Sequence, residues 1–239
     1  IVEQLKIVEP LTNPTAHGGG ASDAFHVVVP SMPGYGYSGK PTSTGWGPER
    51  IARAWAVLMN RLGYTRYVAT GGDWGGVVTD LMAVQAPPGL IGMHTNMPGV
   101  VPPEIDKLLW AGSPLPSGLS ADEKLACDML AVTYKNVRYA FYMASRPQTL
   151  YAIADSPVGL AAWLHDPIGL DMIVRIFDGG VPEGLTRDDV LDNCTLFWLT
   201  NTGVSASRLY RENTFNYFSP KGVNIPVAVS VFPDELYQA

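Results

Sequence analysis

The residues of this sequence best suited to chemistry form the run Gly71-Gly72-Asp73-Trp74-Gly75-Gly76. The run lies between an apolar segment predicted as a strand, residues 66–70, and one predicted as a helix, residues 77–86. Where a strand turns sharply into a helix, one residue takes a strained conformation, and we expect Gly71, Gly75 and Gly76 to let the backbone close around it. A carboxylate held there can attack an electrophilic carbon and form an alkyl ester. The competing interpretation of Asp73 is an ordinary helix N-cap in a glycine-rich turn.

This turn belongs to a segment in which predicted strands and helices alternate, a pattern typical of βαβ units and a parallel sheet. The predicted strands are residues 25–29, 66–70 and 90–94, with a further strand at residues 225–232. Pro48 is predicted to lie in the first turn of a helix that Gly63 caps. In this arrangement the backbone N–H of Trp74 and the N-terminus of the helix after it face the ester oxygen.

From about residue 102 the sequence carries helix signals without intervening strands, until the sheet returns near residue 220. A capping box at Ser120 and a start signal at Thr186 are predicted to begin two of these helices. The sequence therefore predicts an α/β protein with a mostly parallel sheet flanked by helices and an inserted all-helical lid. The expected core covers residues 1–103 and 220–239, and the expected lid covers residues 104–219.

The composition excludes several classes of protein. A chain of 239 residues with 46% apolar and 16% charged residues has a large buried interior and is not disordered. A net charge of −6 without a Lys/Arg run argues against nucleic acid or an anionic membrane surface as partner. Because no apolar stretch approaches about 18 residues and the first residues lack a basic start, we expect a soluble, cytoplasmic protein. The two cysteines, Cys127 and Cys194, require no disulfide framework, and we expect neither a metal nor a cofactor.

Further segments carry a resemblance to the epoxide hydrolases of the microsomal type, a branch of the α/β-hydrolase fold. Besides the run around Asp73 they are Pro33–Ser38, Arg146–Thr149, Asp155–Leu160 and Phe232–Leu236, so the resemblance covers nearly the whole chain. It implies an α/β-hydrolase fold and a small apolar epoxide and water as substrates. In that family an Asp opens the epoxide ring, two lid tyrosines hydrogen-bond the epoxide oxygen, and a His–acid pair activates the water that hydrolyses the ester to a diol.

The resemblance assigns roles to individual residues. Asp73 matches the nucleophile, and Tyr139 and Tyr210 match the two lid tyrosines. Tyr142 is the alternative to Tyr139, because residues three apart share a helix face. A phenol donates a strong hydrogen bond to the oxygen that becomes negative in ring opening, without bringing a charge into the pocket. Helical tyrosines more often serve packing, so both assignments depend on the resemblance.

The acid of the His–acid pair is assigned to Glu235, two residues after Pro233. Asp234 competes with it, because a slip of one residue at a strand end turns the other side chain inward. The remaining alternative is that both carboxylates only cap a following helix.

Two elements of the family pattern have no match in this sequence: a Gly-Gly-His after the acid, and the His-Gly-x-Pro that supplies the second oxyanion amide. Among the four histidines, His94 has the strongest claim to a role in the site, because it ends a predicted strand. The others are expected to be structural or solvated; they are His17, His26 and His165. We therefore expect the chain to be an internal fragment of a longer hydrolase that lacks the catalytic histidine.

Two other functions remain open at this point. A haloalkane or haloacid dehalogenase would use the same Asp-Trp turn to displace a halide, with Trp or Asn donors in place of paired tyrosines. A non-catalytic hydrolase-like protein would keep the pocket as a receptor for a small apolar ligand. The sequence does not decide the oligomeric state, and a homodimer stays open.

Overall fold

The computed structural model describes residues 2–166 and 170–232. The chain forms two compact units: a first unit of Ile1–Thr42 with Arg146–Arg208, and a second unit of Ser43–Ser145 with Leu209–Ala239. The division into a core and a lid that the sequence predicts stays a prediction. Within the described residues, no helix is long and apolar enough to cross a membrane.

The described chain is mostly helical and contains one parallel sheet. The strands are β1 Tyr67–Gly71, β2 Leu90–Thr95 and β3 Val227–Val229. The helices are α1 Val2–Thr12, α2 Pro48–Arg61, α3 Trp74–Gln85, α4 Pro103–Ala111, α5 Ala121–Asn136, α6 Arg138–Ser145, α7 Tyr151–Asp155, α8 Pro157–His165, α9 Leu170–Phe177, α10 Arg187–Thr200 and α11 Ser207–Glu212. Short 3₁₀ turns occupy Pro14–His17, Ala21–Asp23, Pro147–Leu150 and Pro182–Gly184.

The sheet lies in the second unit, with its strands in the order β1-β2-β3, and both pairings are parallel. The register pairs Gly71 with Thr95 and Thr95 with Val229, so all three strands end at the same edge. Strands predicted at residues 66–70 and 90–94 are confirmed to within a residue. The strand predicted at residues 225–232 is shorter in the structure, which assigns β3 three residues.

The helix α3 connects β1 to β2 and fills the centre of the second unit. It is apolar on nearly every face, and helices of that kind are buried. Its buried apolar side chains are Trp74, Val77, Val78, Leu81, Met82 and Ala83. The amphipathic helix α2 packs against it and buries Ile51 and Ala52. As predicted, Pro48 lies in the first turn of α2 and Gly63 follows its end with a φ of +81°.

The helices α4 and α5 of the second unit pack against each other over an aromatic and aliphatic cluster. Its buried members are Val101, Leu109, Leu130, Tyr134 and Phe218. The capping box predicted at Ser120 is present and begins α5, with hydrogen bonds in both directions between Ser120 and Glu123.

The first unit contains α1 and α7 to α10 and buries Leu150, Leu160 and Ile176. The start signal at Thr186 is confirmed, because its hydroxyl accepts from the backbone of Asp189 at the beginning of α10. The strand predicted at residues 25–29 is wrong, since residues 24–30 form no strand. Apolar β-branched composition does not by itself provide a neighbouring strand, and strand residues need one for their backbone groups.

Candidate active site

Asp73 occupies the turn between β1 and α3 in a strained conformation. Its φ of 48° and ψ of −131° lie outside the regions that residues with a Cβ commonly adopt. It stands at the N-cap position of α3, but its side chain makes no capping hydrogen bond. Ordinary N-cap residues have extended φ and ψ angles and accept from the helix backbone. The turn therefore presents the carboxylate away from the helix backbone, as the prediction of a strained strand-to-helix turn requires.

The glycines around Asp73 differ in what they permit. A Cβ on Gly71 would overlap the backbone of Gly75, and a Cβ on Gly72 would overlap the side-chain amide of Asn96. At Gly76 a Cβ would lie 3.1 Å from Thr95 Oγ1, which is tighter than ordinary contact. At Gly75 nothing lies within 4 Å. The expectation that the turn needs glycine is thus confirmed at Gly71 and Gly76. It is wrong at Gly75, because the space around that residue is open. The need for glycine at Gly72 was not predicted.

Tyr217 donates a hydrogen bond to the Asp73 carboxylate. Its phenol donates to Asp73 Oδ1 over 2.6 Å. Burial, and then the charge of Asp73, raise the pKa of Tyr217 well above its usual value. Tyr217 was not predicted from the sequence, because the two partners are 144 positions apart and no spacing links them. The local sequence shows only that three of the four residues at 215–218 are aromatic, which does not distinguish Tyr217.

Tyr139 and Tyr210, the predicted lid tyrosines, lie together in the second unit. Their ring centroids are 6.1 Å apart and their planes are 76° apart. Burial raises the pKa of Tyr139, the charge of Asp73 raises it further, and a hydrogen bond with Tyr210 acts in the opposite direction. The alternative, Tyr142, is 50% exposed. The charge of Asp73 thus acts on Tyr139, and Tyr210 contacts both Tyr139 and Trp74, the residue after Asp73.

Trp74 packs its indole against two of these tyrosines. Its centroid lies 5.1 Å from the Tyr210 ring and 5.1 Å from the Tyr217 ring, and both contacts are edge-on. The side chain is buried, and its Nε1 has no hydrogen-bond partner among the described residues. The role predicted for the backbone N–H of Trp74 stays a prediction.

A buried ion pair holds the segment that carries Tyr217. Lys221 Nζ lies 3.4 Å from Asp80 Oδ2 on α3, and both side chains are almost fully buried. The same ammonium donates to the carbonyl oxygens of Tyr217 and Ser219, each over 3.0 Å. Burial raises the pKa of Asp80 and lowers the pKa of Lys221, because it disfavours both charged forms.

His94 is held by the sheet. Its Nδ1 lies 2.8 Å from Thr70 Oγ1, and its Nε2 lies 2.9 Å from Ser230 Oγ. With a hydroxyl at each ring nitrogen, His94 joins the ends of the three strands, which is a structural role. His165 Nε2 lies 3.2 Å from Cys194 Sγ in the first unit, and His17 pairs with Glu9.

The predicted acid, Glu235, and its competitor, Asp234, lie outside the described residues. The assignment of Glu235 therefore stays a prediction.

Comparison with known proteins extends over the whole chain. A model of the α/β-hydrolase fold family matches residues 16–115. A protein of Stigmatella aurantiaca is 45% identical over an alignment of 247 residues, and its name assigns it provisionally to the epoxide hydrolases. The alignment covers 100% of this chain and 52% of that protein. Epoxide hydrolase 1 of Oryctolagus cuniculus is 32% identical over 98% of this chain and 55% of its own length.

Solved structures show the same similarity. The crystal structure of juvenile hormone epoxide hydrolase from the silkworm Bombyx mori superposes with a TM-score of 0.74 and 26% sequence identity, covering 95% of this chain and 57% of that one. The chain spans about half the length of the curated relatives it matches.

Proposed function

This chain belongs to the α/β-hydrolase fold superfamily and resembles epoxide hydrolases of the microsomal type along its length, and from this premise we propose that its residues open epoxides. The substrates would be a small apolar epoxide and water, and the final product a vicinal diol. The observation that carries the proposal is the Asp73 carboxylate, which stands at a strained turn and whose charge acts on Tyr139, a ring neighbour of Tyr210.

In the first step, an oxygen of the Asp73 carboxylate attacks an epoxide carbon, and the bond from that carbon to the epoxide oxygen breaks. The oxygen takes the electron pair and a proton from Tyr139 or Tyr210. The raised pKa of Tyr139 keeps its proton on the phenol at neutral pH, so it approaches the substrate as a neutral donor. The product of this step is an alkyl ester on Asp73.

In the second step, the ester is hydrolysed to release the diol. The resemblance assigns activation of the water to a histidine paired with Glu235, and none of the four histidines of this sequence matches that histidine. Ring opening is therefore the half of the reaction for which this chain carries the assigned residues.

The test is intact-protein mass spectrometry after incubation with styrene oxide. We expect one adduct per chain, which peptide mapping places on Asp73, and no adduct in Asp73→Asn. Asp122→Asn is the matched control, because Asp122 is an exposed aspartate in the first turn of α5, and it should retain the adduct. An unmodified chain, or an adduct that survives Asp73→Asn, would contradict the proposal.

A dehalogenase is the second candidate. Within the described part of the chain the indole N–H of Trp74, the residue after Asp73, has no hydrogen-bond partner, and this favours a dehalogenase because that group can donate to a halide. The double variant Tyr139→Phe, Tyr210→Phe separates the two functions. Loss of the epoxide adduct together with retained halide release from a haloalkane would favour the dehalogenase. Tight binding of a small apolar ligand without an adduct would favour a receptor. A cytoplasmic location and a homodimer remain predictions.

A further inference from the structure

We propose that Tyr217 is a catalytic residue of ester cleavage, which holds Asp73 Oδ1 as the carbonyl oxygen of the alkyl ester and donates to the negative charge that forms on it. The inference rests on the proposed function, since it concerns the ester that ring opening leaves on Asp73. It adds a side-chain donor to the backbone donors expected at the turn.

The contact has the geometry of a strong donor. The distance of 2.6 Å from the phenol oxygen to Asp73 Oδ1 lies in the range of hydrogen bonds between a hydroxyl and a charged oxygen. Because Tyr217 holds Oδ1, we assign the attack on the epoxide to Oδ2. The ester then forms through Oδ2, and Oδ1 remains in the carbonyl group next to the Tyr217 phenol.

The donor is fixed in place before any charge develops. Lys221 holds the carbonyl of Tyr217 and is itself paired with Asp80 on α3, the helix that Asp73 precedes. The ring packs against Trp74 on one side and against Phe218, whose centroid is 4.8 Å away. A donor held in this way loses little free energy in reorganising when the charge appears, which is the condition for effective stabilisation of an oxyanion.

The phenol also remains protonated. Burial and the neighbouring charge of Asp73 raise the pKa of Tyr217, so the group is a donor at neutral pH and above. Loss of its proton would place two negative groups 2.6 Å apart.

The charge on Oδ1 changes in opposite directions in the two steps. When Oδ2 bonds to the epoxide carbon, negative charge leaves the carboxylate for the epoxide oxygen, and the hydrogen bond from Tyr217 weakens. When hydroxide adds to the ester carbon, the carbonyl electron pair moves onto Oδ1 and the hydrogen bond strengthens. Collapse then restores the carbonyl and expels the diol oxygen, which takes the proton of the new carboxyl group.

Only an interaction that strengthens in the transition state accelerates a step. Tyr217 therefore accelerates cleavage of the ester and does not accelerate its formation.

Hydroxylamine tests this without a catalytic histidine. Its nitrogen adds to the ester carbon and likewise moves the carbonyl electron pair onto Oδ1. A proton of the nitrogen passes to the departing diol, and Asp73 is left as a hydroxamate. The chain is alkylated with styrene oxide, desalted and exposed to neutral hydroxylamine, either folded or in urea, and the adduct is followed by intact-protein mass spectrometry. Tyr217→Phe is compared with wild type. Tyr151→Phe is the control, because Tyr151 is 66% exposed and lies in the first unit.

We expect the folded wild type and Tyr151→Phe to lose the adduct faster than the same proteins in urea. Tyr217→Phe should form the adduct at least as fast as wild type and lose it about 10²–10³-fold more slowly.

The outcomes that overturn the inference differ from the failure of the proposed function. No adduct on wild type removes the proposed function itself. An adduct that the folded wild type loses no faster than in urea shows that the fold provides no oxyanion donor, whatever the variant does. A Tyr217→Phe variant that loses the adduct at the wild-type rate, or forms it more slowly, also overturns the role assigned to Tyr217.

Discussion

Two glycines of the same turn should respond in opposite ways to alanine. In Gly71→Ala the new methyl group would lie 2.2 Å from the carbonyl carbon and oxygen of Gly75 and overlap them, whereas in Gly75→Ala it would meet nothing within 4 Å. Neither glycine has a positive φ, so both accept alanine as far as backbone conformation is concerned. The difference between the two variants therefore measures the close approach of the end of β1 to the start of α3.

The magnitude follows from the groups that would have to move. The obstacle at Gly71 is backbone, which cannot rotate away as a side chain can, so β1 and α3 must separate. Overpacking of this kind costs about 1–3 kcal/mol, and weakening the hydrogen bonds that Gly76 N makes to Gly72 O and Asp73 O adds about 1 kcal/mol. Gly75 lies in the first turn of α3, where alanine gains about 0.4–1 kcal/mol by restricting the unfolded chain. Gly71→Ala should thus be less stable than Gly75→Ala by at least about 2 kcal/mol.

The assay combines urea denaturation with the rate of adduct formation. We expect Gly71→Ala to unfold at a lower urea concentration than wild type, with a melting temperature about 5–15 °C lower. Because a displacement of about 1 Å can cost 10²-fold in rate, the same variant should lose most of its reaction with styrene oxide. Gly75→Ala should keep both properties. Equal stabilities of the two variants, or unchanged alkylation in Gly71→Ala, would refute the packing described for this turn.

The remaining predictions concern buried and titrating groups. Lys221→Met leaves the Asp80 carboxylate buried without its cation, so we expect the free energy of unfolding in urea denaturation to fall by about 3–5 kcal/mol. A second change, Asp80→Leu, should restore part of this loss. Equal losses in the single and the double variant would contradict the prediction. The pKa values of Tyr139 and Tyr217 are raised above 10.0 in the folded state, so the two phenols ionise at lower pH in the unfolded chain. Stability should therefore fall as pH rises above 10.0, and it should fall less steeply after replacement of both tyrosines by Phe. The pKa of Asp189 is lowered to about 2, first by a backbone hydrogen bond at the start of α10. The stability that ionised Asp189 contributes is complete above the ordinary pKa of 3.8 and is lost as pH falls through about 2. Hydrogen exchange of α10 should therefore accelerate at acid pH in wild type, and this acid dependence should be absent in Asp189→Asn.

Local signals predicted much of the fold and the strained turn at Asp73. Pro48, Ser120 and Thr186 each begin a helix as expected, because a capping signal acts on groups within three or four residues of it. The turn at Asp73 was predictable for the same reason, since its glycines and the flanking strand and helix all lie within the local sequence.

The errors arose where the deciding neighbour is distant in the chain. The spacing of glycines could not show that the space beside Gly72 is closed by Asn96, which follows β2, while the space beside Gly75 is open. In the same way, no local pattern marked Tyr217 among the tyrosines, because its partner lies across the second unit. The strand predicted at residues 25–29 failed for want of a pairing partner, which composition does not reveal.

These distant neighbours also explain how the turn keeps its strain. A residue with a Cβ in such a conformation costs about 1–3 kcal/mol and persists only where the surroundings determine it. The segment after β2 provides this, because Asp73 N donates to Met97 Sδ over 3.2 Å and Met97 N is held by Thr95 Oγ1 over 3.0 Å. Parallel strands bring that segment to the edge where β1 ends. The backbone of Asp73 is thus held in its strained conformation by the segment that follows β2.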